Sequence, residues 1–208
     1  MEDILHLYQQ PYNASVPVVC MDEQPVQLVK ETRMPLPMET GKPMRFDFEY
    51  ERMGATNIFL FTEPLAGWRK AQVRTRKTAI DWAHEIKELV DVDYPACEKL
   101  IIICDNLNTH KPASLYEAFT PQEARRLLEK IEIHYAPKHG SWLNVAEIEL
   151  STLTRQCLNR RILDEATLRR EICSWSRDRN QAQKSVDWRF TTSDARIKLK
   201  TLYPQINA

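Results

Sequence analysis

Short apolar runs and strict alternation dominate the first third of the chain and predict strands. Residues 16–21 form a β-rich apolar run that stops at Asp22. Residues 46–51 alternate aromatic with charged side chains, and residues 57–62 form a third run after a turn at Gly54. A period of two and short apolar runs bounded by turn residues are typical of β-strands. We therefore expect three strands in an antiparallel meander.

From residue 78 onward the apolar positions repeat with helical spacing. Thr78 with Asp81, and Thr120 with Glu123, each form a capping pattern in which a hydroxyl residue precedes an acidic residue by three positions. Pro121 also occupies a first helical position, where its missing backbone N–H has no intrahelical partner to lose. We therefore expect one helix to begin after Thr78 and another after Thr120.

Two further strands are expected among these helices. Residues 99–104 form a strongly apolar run that ends at Asp105, and residues 131–135 alternate apolar with polar side chains. After a turn at residues 137–140 the chain is mainly helical, with Asp164 as a helix cap. This order predicts an α/β fold with a mixed five-stranded sheet, made of a three-strand meander plus two parallel strands. Helices flank the sheet, and a helical C-terminal tail follows.

The composition excludes several classes of function. Only four of the 208 residues are glycines, and they are too scattered to form G-x-G-x-x-G or a Walker loop. No apolar run approaches the roughly 20 residues that cross a bilayer, and the N-terminus does not resemble a secretory signal. The five cysteines have neither zinc nor disulfide spacing. We therefore expect a cytoplasmic chain with reduced thiols and no membrane partner.

The charge is unevenly distributed, although 29 Lys and Arg balance 29 Asp and Glu. Residues 1–150 carry a net charge of −6, and residues 151–208 carry +6. Cationic patches can follow the phosphates of a nucleic acid, and a solvated surface is the alternative interpretation. The candidate DNA-binding residues are Arg69, Lys70, Arg74, Arg76 and Lys77 in one acid-free cluster, and Arg155, Arg160 and Arg161 in the basic C-terminal part.

Three carboxylates follow the predicted strands. Asp22 and Asp105 come directly after the two most apolar strands, and Glu147 lies on the helix that opens after residue 141. The carboxyl ends of neighbouring strands gather at one edge of an open sheet, so these acids can converge. Carboxylates without His or Cys favour Mg²⁺ or Mn²⁺, and two such ions can clamp both oxygens of a phosphoryl transfer. Taken singly, each acid is more often a turn or capping residue.

Three sequence blocks carry a family resemblance. They span residues 16–23, 100–110 and 137–147; the second contains Asp-Asn-Leu-Asn-Thr-His and the third ends in Leu-Asn-Val-Ala-Glu. Together they resemble the catalytic blocks of Asp-Asp-Glu transposases, more narrowly the mariner-type superfamily and its bacterial branch, the insertion sequence 630 family. The resemblance implies a ribonuclease-H-like catalytic domain over residues 16–160. It also implies that Asp22, Asp105 and Glu147 form a metal-binding catalytic triad.

The same resemblance implies an activity and partners. The implied activity is cleavage of DNA at transposon ends by water, followed by attack of the freed 3′ hydroxyl on target DNA. TA is the target expected from the resemblance, and a pair of Mg²⁺ or Mn²⁺ ions is the expected cofactor. The expected active complex is a homodimer, and the expected location is the cytoplasm, at the nucleoid. Asn106, His110 and Asn144 match positions whose side chains orient a metal ligand or contact a phosphate. For His110 and His139, a structural or surface role is the alternative.

The chain also departs from the mariner pattern. Val145-Ala146 stand where a proline is usual, and the 42 positions from Asp105 to Glu147 exceed the spacing of eukaryotic relatives. Residues 1–15 form a lead-in segment, so we expect the N-terminal helix-turn-helix domain of relatives to be absent. Residues 161–208 form a basic helical C-terminal region.

These departures leave several interpretations open. The chain is a separate catalytic reading frame with a helix-turn-helix polypeptide or frameshift partner, a truncated remnant, or a fragment. In function, the alternatives to a transposase are a catalytically inactive DNA-binding or oligomerisation remnant and a related metal-dependent nuclease.

Overall fold

Five strands form a mixed sheet in the computed structural model, which describes residues 1–137 and 140–203 without the side chain of Ser141. The strands are β1 (Val18–Glu31), β2 (Tyr50–Glu63), β3 (Trp68–Arg74), β4 (Leu100–Cys104) and β5 (Ile131–Tyr135). Their order across the sheet is β3-β2-β1-β4-β5. β2 pairs antiparallel with β1 and β3, whereas β4 pairs parallel with β1 and β5. The predicted meander plus two parallel strands is confirmed.

The strands of the meander occupy other residues than predicted. The expected separation of strands at residues 46–51 and 57–62 is wrong, because β2 runs without a turn through Gly54, whose φ is +100°. The third strand is β3, which carries Arg69, Lys70 and Arg74 of the first cationic cluster, whereas Arg76 and Lys77 follow it. Phe46 and Phe48 precede β2 and are exposed, so their alternation with acids does not mark a buried sheet face.

β1 continues past the position where its end is predicted. The apolar run stops at Asp22, but β1 remains paired with β2 as far as Glu31, opposite Tyr50. The hydrogen bonds between antiparallel strands join backbone groups, so a strand can continue through polar residues. A prediction based on the apolar run alone therefore ends the strand too early. The parallel pairing with β4 ends at Cys20. Asp22 therefore lies inside β1, two residues beyond the part of β1 that pairs with β4.

Helix starts agree with the capping patterns in the sequence. The Thr78 hydroxyl accepts from the backbone N–H of Asp81 at the start of α2, the Thr120 side chain caps α4, and Asp164 caps α6. The helices within the described residues are α1 (Glu2–Gln9), α2 (Ala79–Glu88), α3 (Pro112–Ala118), α4 (Pro121–Lys130), α5 (Val145–Leu153), α6 (Glu165–Gln181) and α7 (Thr192–Lys198). Short π-helical turns extend α2 over Leu89–Asp93 and α5 over Thr154–Leu158.

The sheet separates two apolar layers, because successive strand side chains point to opposite faces. Met21 and Phe59 pack on one face with α2, α3 and α4. Cys20 and Leu60 pack on the other face with α1, α5, α6 and α7. The lead-in segment and the C-terminal region therefore share the apolar layer of α5. No helix in the described part of the chain is both long and apolar enough to span a bilayer.

Candidate active site

The three predicted acids line one cleft. Asp22 lies in β1, Asp105 follows β4 directly, and Glu147 lies in the first turn of α5. All three border a cleft of about 560 Å³, together with Tyr135 and Asn144. The convergence arises because β1 and β4 are parallel neighbours and α5 packs against β1. The acids therefore meet at the carboxyl end of β4, where open α/β sheets commonly place ligand sites.

Asn144 ties the helix of Glu147 to the strand of Asp22. Its side-chain Oδ1 accepts from the backbone N–H of Ala146 at 3.2 Å and so caps α5. Its Nδ2 donates to the carbonyl oxygen of Met21 at 2.8 Å. The predicted role of Asn144 was to orient a ligand or contact a phosphate, and the structure places its buried side chain between the two elements that carry Asp22 and Glu147.

α1 supports the same junction from outside the predicted catalytic domain. The Tyr8 hydroxyl donates to the carbonyl oxygen of Leu143 at 2.6 Å. Leu143 immediately precedes the cap of α5, so α1 contacts the backbone at the point where that helix begins. Sequence reasoning did not identify Tyr8, because 135 positions separate it from its partner.

The cleft concentrates negative charge. Burial raises the pKa of Asp22 to about 6, and the charges of Asp105 and Glu147 act in the same direction. The backbone N–H of Glu23, which donates to Asp22 Oδ1 at 2.7 Å, opposes this rise. Like-charged carboxylates in a partly dry cleft disfavour each other's ionised forms. A cation in the cleft would relieve this repulsion.

His110 bridges two carboxylates beside the cleft. Its side chain is 1% exposed; Nδ1 lies 2.6 Å from Asp105 Oδ1, and Nε2 lies 2.9 Å from Glu23 Oε1. Burial disfavours the charged ring, but the contacts with Asp105, Cys104 and Glu23 outweigh that effect, and the pKa of His110 is raised to about 11. Glu23 is a residue that sequence reasoning missed as part of the site. The only sequence signal was its position next to Asp22.

The oxygen atoms that line the cleft are of the type that binds a hard cation, but they are not already arranged as a metal-binding site. Carboxylate and amide oxygens are the ligands that Mg²⁺ and Mn²⁺ prefer. Within residues 1–137 and 140–203, however, no group of three or more His, Cys, Asp or Glu is arranged to hold a metal ion. Asp105 Oδ1 is buried and lies 2.6 Å from His110 Nδ1, so this oxygen is occupied by the imidazole. The Asp105 side chain as a whole is 44% exposed, so the rest of its carboxyl group is accessible to a ligand.

Asn106 and His139 complete the predicted set. Asn106 is exposed at the cleft, where its Oδ1 accepts from the Lys111 ammonium. Asn106 can therefore meet a ligand that enters the cleft. His139 lies outside the described residues.

Arg69 does not belong to a DNA-facing surface. Its guanidinium is buried, with Nε 3.2 Å from Glu149 Oε2, and it donates to the carbonyl oxygens of Gly67 and Lys184 at 3.0 and 2.6 Å. Arg179 donates to both oxygens of the same carboxylate, at 2.8 and 3.1 Å. The expectation for Arg69 is corrected, because a buried cation held by a carboxylate cannot reach a phosphate. We call these three side chains the Arg69–Glu149–Arg179 cluster.

Two neighbours of Arg69 in the sequence are also bound to acids. Lys70 is mostly buried and contacts Glu88 at 2.9 Å and Asp93 at 2.5 Å. Arg74 contacts the buried carboxylate of Glu85 at 2.5 Å. A DNA phosphate would have to displace these acids to reach either cation.

The remaining candidate cations are closer to solvent. Arg76, Lys77, Arg155 and Arg160 are exposed, whereas Arg161 is partly buried. Arg161 and Arg160 each pair with one carboxylate, those of Glu31 and Glu171. The cationic surface open to a polyanion is therefore smaller than the sequence predicts.

Taken together, the fold and the cleft define an α/β domain with a carboxylate-lined site at the end of its central strands. A family model described as DDE superfamily endonuclease matches residues 17–169, and the chain belongs to this family. The matched region contains Asp22, Asp105 and Glu147.

Solved structures share the fold. The chain is similar to the one in the crystal structure of the Mos1 strand transfer complex, with a TM-score of 0.59 and a sequence identity of 14%. The match covers 88% of this chain and 53% of that chain. It is also similar to the chain in the Mos1 mariner paired-end complex with Mn, with a TM-score of 0.56 and a sequence identity of 15%. This match covers 88% of this chain and 54% of that chain. The chain spans about half the length of these structures. A comparison with curated proteins gave no match. The likeness confirms the ribonuclease-H-like fold.

Proposed function

We propose that this chain is the catalytic part of a DNA transposase, which cleaves transposon ends and joins the freed 3′ hydroxyl to target DNA. The observation that carries the proposal is the cleft in which Asp22, Asp105 and Glu147 meet inside the family-matched region. The likeness of the fold to a strand transfer complex supports it. The insertion sequence 630 family remains the proposed branch within the mariner-type superfamily.

The residues of the cleft have distinct proposed roles. Two Mg²⁺ or Mn²⁺ ions, when bound, would supply a nucleophile and stabilise the departing 3′ oxygen. Asp22, Asp105 and Glu147 would hold the ions through their carboxylate oxygens. Asn144 keeps the helix of Glu147 against β1 through the Met21 carbonyl oxygen. His110 restrains Asp105 through its contact with Oδ1.

The proposed partners follow from this chemistry. The substrates are transposon-end DNA and target DNA, with TA as the proposed target, so the activity belongs at the nucleoid. The active complex is proposed to be a homodimer, with a helix-turn-helix polypeptide or frameshift partner that recognises the ends. Of the candidate cations, Arg76, Lys77, Arg155 and Arg160 are the exposed ones that we propose contact the DNA backbone. Arg161, bound to Glu31, is a weaker candidate.

Metal-dependent DNA cleavage tests the proposal directly. The full chain is incubated with end-containing DNA in Mg²⁺, Mn²⁺ or EDTA, and nicking and strand transfer are measured. We expect activity only with a metal ion, and loss of activity in Asp22→Asn and Asp105→Asn. Glu117→Gln, an exposed carboxylate on α3, is the matched control and should retain wild-type activity.

Other outcomes identify the alternatives. Cleavage of RNA in an RNA–DNA hybrid but not of DNA would indicate a related metal-dependent nuclease. Salt-sensitive DNA binding without turnover in any metal ion would indicate a binding remnant. Equal activity of wild type and Asp105→Asn would reject the assigned site.

A further inference from the structure

A second pocket lies at the opposite end of β1 and β4 from the acidic cleft. It has a volume of about 260 Å³ and is bordered by the end of α1, the first residues of β1 and β4, and the end of β2. Its walls are mainly apolar and include Leu7, Val16, Pro17, Leu65 and Ile101. None of these residues borders the acidic cleft, so the pocket is independent of the function proposed above.

One carboxyl group lies in this apolar pocket. Glu63, the last residue of β2, borders the pocket and is 5% exposed. Its Oε2 accepts from the Tyr94 hydroxyl at 2.9 Å, but its Oε1 is buried without a hydrogen-bond partner. In the part of the chain that the structure describes, no lysine, arginine or histidine forms an ion pair with Glu63. A buried carboxyl oxygen without a partner is costly, so this atom favours a donor from outside.

The surroundings restrict the kind of donor. A divalent metal ion needs several oxygen ligands, and no group of metal-ligating side chains is present here among residues 1–137 and 140–203. A short aliphatic chain that ends in a cationic nitrogen fits better, because its methylene groups can contact the apolar walls while its N–H groups reach Glu63. Burial raises the pKa of Glu63, and a bound cation would favour the ionised carboxylate.

We propose that this pocket binds an alkylammonium group, with the ammonium nitrogen donating to Glu63 Oε1 and the alkyl chain lying between Leu7, Val16 and Leu65. The group can belong to a free amine or to a lysine side chain of another polypeptide. Both sources present the same chemistry to the pocket. Tyr12, at the border of the pocket, is exposed to solvent.

Ligand titration followed by amide NMR of the full chain tests the pocket. The probes are n-butylammonium, its neutral isostere 1-butanol, and Nα-acetyl-lysine-N-methylamide. We expect n-butylammonium to shift the amide resonances of Glu63 and Leu65, with a dissociation constant on the order of millimolar for so few atoms. The 1-butanol affinity should be about tenfold lower, because it lacks the charge-assisted hydrogen bond.

Variants separate recognition from folding. Glu63→Gln keeps the shape of the side chain and an oxygen that can accept from the Tyr94 hydroxyl, so it should fold and should bind n-butylammonium about tenfold more weakly. Glu98→Gln removes a nearby exposed carboxylate and should bind as wild type does. An unchanged melting temperature of Glu63→Gln shows that weaker binding is not a folding defect.

Each result has a defined meaning. Binding of both cationic probes indicates that the pocket accepts a lysine side chain, and binding of n-butylammonium alone indicates a free amine. Equal affinity for 1-butanol and n-butylammonium, or unchanged binding in Glu63→Gln, would overturn the proposal. So would the absence of shifts at Glu63 and Leu65 with every probe.

Discussion

Two glutamates of the same helix have opposite environments. Glu147 borders the acidic cleft with Asp22 and Asp105, whereas Glu149 is 2% exposed and lies between two arginine side chains in the Arg69–Glu149–Arg179 cluster. A separation of two residues turns a side chain by about 200° around an α-helix, so the two carboxylates leave α5 on different sides. The difference shows that burial alone does not mark a catalytic acid.

What distinguishes the two acids is the balance of charge around them. The buried carboxylate of Glu149 is compensated by two guanidinium groups, and its hydrogen bonds are satisfied. The acids of the cleft face one another, and their mutual repulsion contributes to the raised pKa of Asp22. The carboxylate oxygens of Glu149 are occupied by guanidinium groups, whereas in the cleft only Asp105 is paired, with His110, so the cleft can accept a cation.

Replacing Glu147 tests the functional side of this comparison and has the largest expected effect. In Glu147→Gln, metal-dependent DNA cleavage should fall to background, because the neutral amide binds a hard cation poorly. Stability should stay equal or rise slightly, since one of three repelling carboxylates is removed. Cleavage assays and urea denaturation measure the two effects. Wild-type cleavage by this variant would remove Glu147 from the site.

Replacing Glu149 tests the structural side. Glu149→Gln should lower the free energy of unfolding by about 3–5 kcal/mol, because it leaves buried Arg69 without a carboxylate. Urea denaturation measures the loss. The double variant Arg69→Met with Glu149→Leu is the control; it removes the two most buried charges of the cluster, leaves the more exposed Arg179, and should recover much of the stability. If Glu149→Gln alone were as stable as wild type, the cluster would have no structural role.

Replacing Asn144 tests whether the connection between α5 and β1 matters for both stability and cleavage. Asn144→Ala removes the cap of α5 and the bond to the Met21 carbonyl oxygen, and we expect a loss of about 1–3 kcal/mol in the free energy of unfolding. Cleavage should fall as well, at temperatures where the variant is fully folded. A variant that loses stability but keeps wild-type cleavage would restrict Asn144 to capping.

The smallest effect is expected at α1. Tyr8→Phe removes the hydroxyl that donates to the Leu143 carbonyl oxygen and lies 3.0 Å from Cys20 Sγ, which should cost about 1 kcal/mol. Thermal denaturation measures the change, and Tyr12→Phe, at an exposed ring, serves as the control. A loss equal to that of the control would show that α1 does not support the start of α5.

Features encoded locally were predictable from the sequence. The caps at Thr78, Thr120 and Asp164 depend on residues three positions away, and each was found where expected. The apolar run that forms β4 also identified the acid that follows it. The convergence of three acids was predicted from the family resemblance of the three sequence blocks, because each acid taken singly is more often a turn or capping residue. The positions of Asp22 and Asp105 after apolar strands were consistent with it.

Features that depend on distant partners were not predictable. Arg69 belongs to a run of cations that is typical of a surface, and its burial depends on Glu149, 80 positions away. Glu23 contacts His110 across 87 positions, so its position next to Asp22 was the only local signal of its role. The strand boundaries near Gly54 failed for the same reason, because pairing with β1 rather than local alternation determines β2.

The Arg69–Glu149–Arg179 cluster also limits where the chain can be truncated without losing contacts of the fold. Its members lie on β3, α5 and α6, and the chain beyond α6 contributes the Lys184 carbonyl oxygen. A fragment ended at residue 160, where the predicted catalytic domain ends, would retain Arg69 and Glu149 but lose Arg179 and the Lys184 carbonyl oxygen. Native-state hydrogen exchange should therefore show α5 and α6 opening together as one cooperative unit. We therefore expect the smallest autonomously folding part of this protein to include α6 and the turn that follows it.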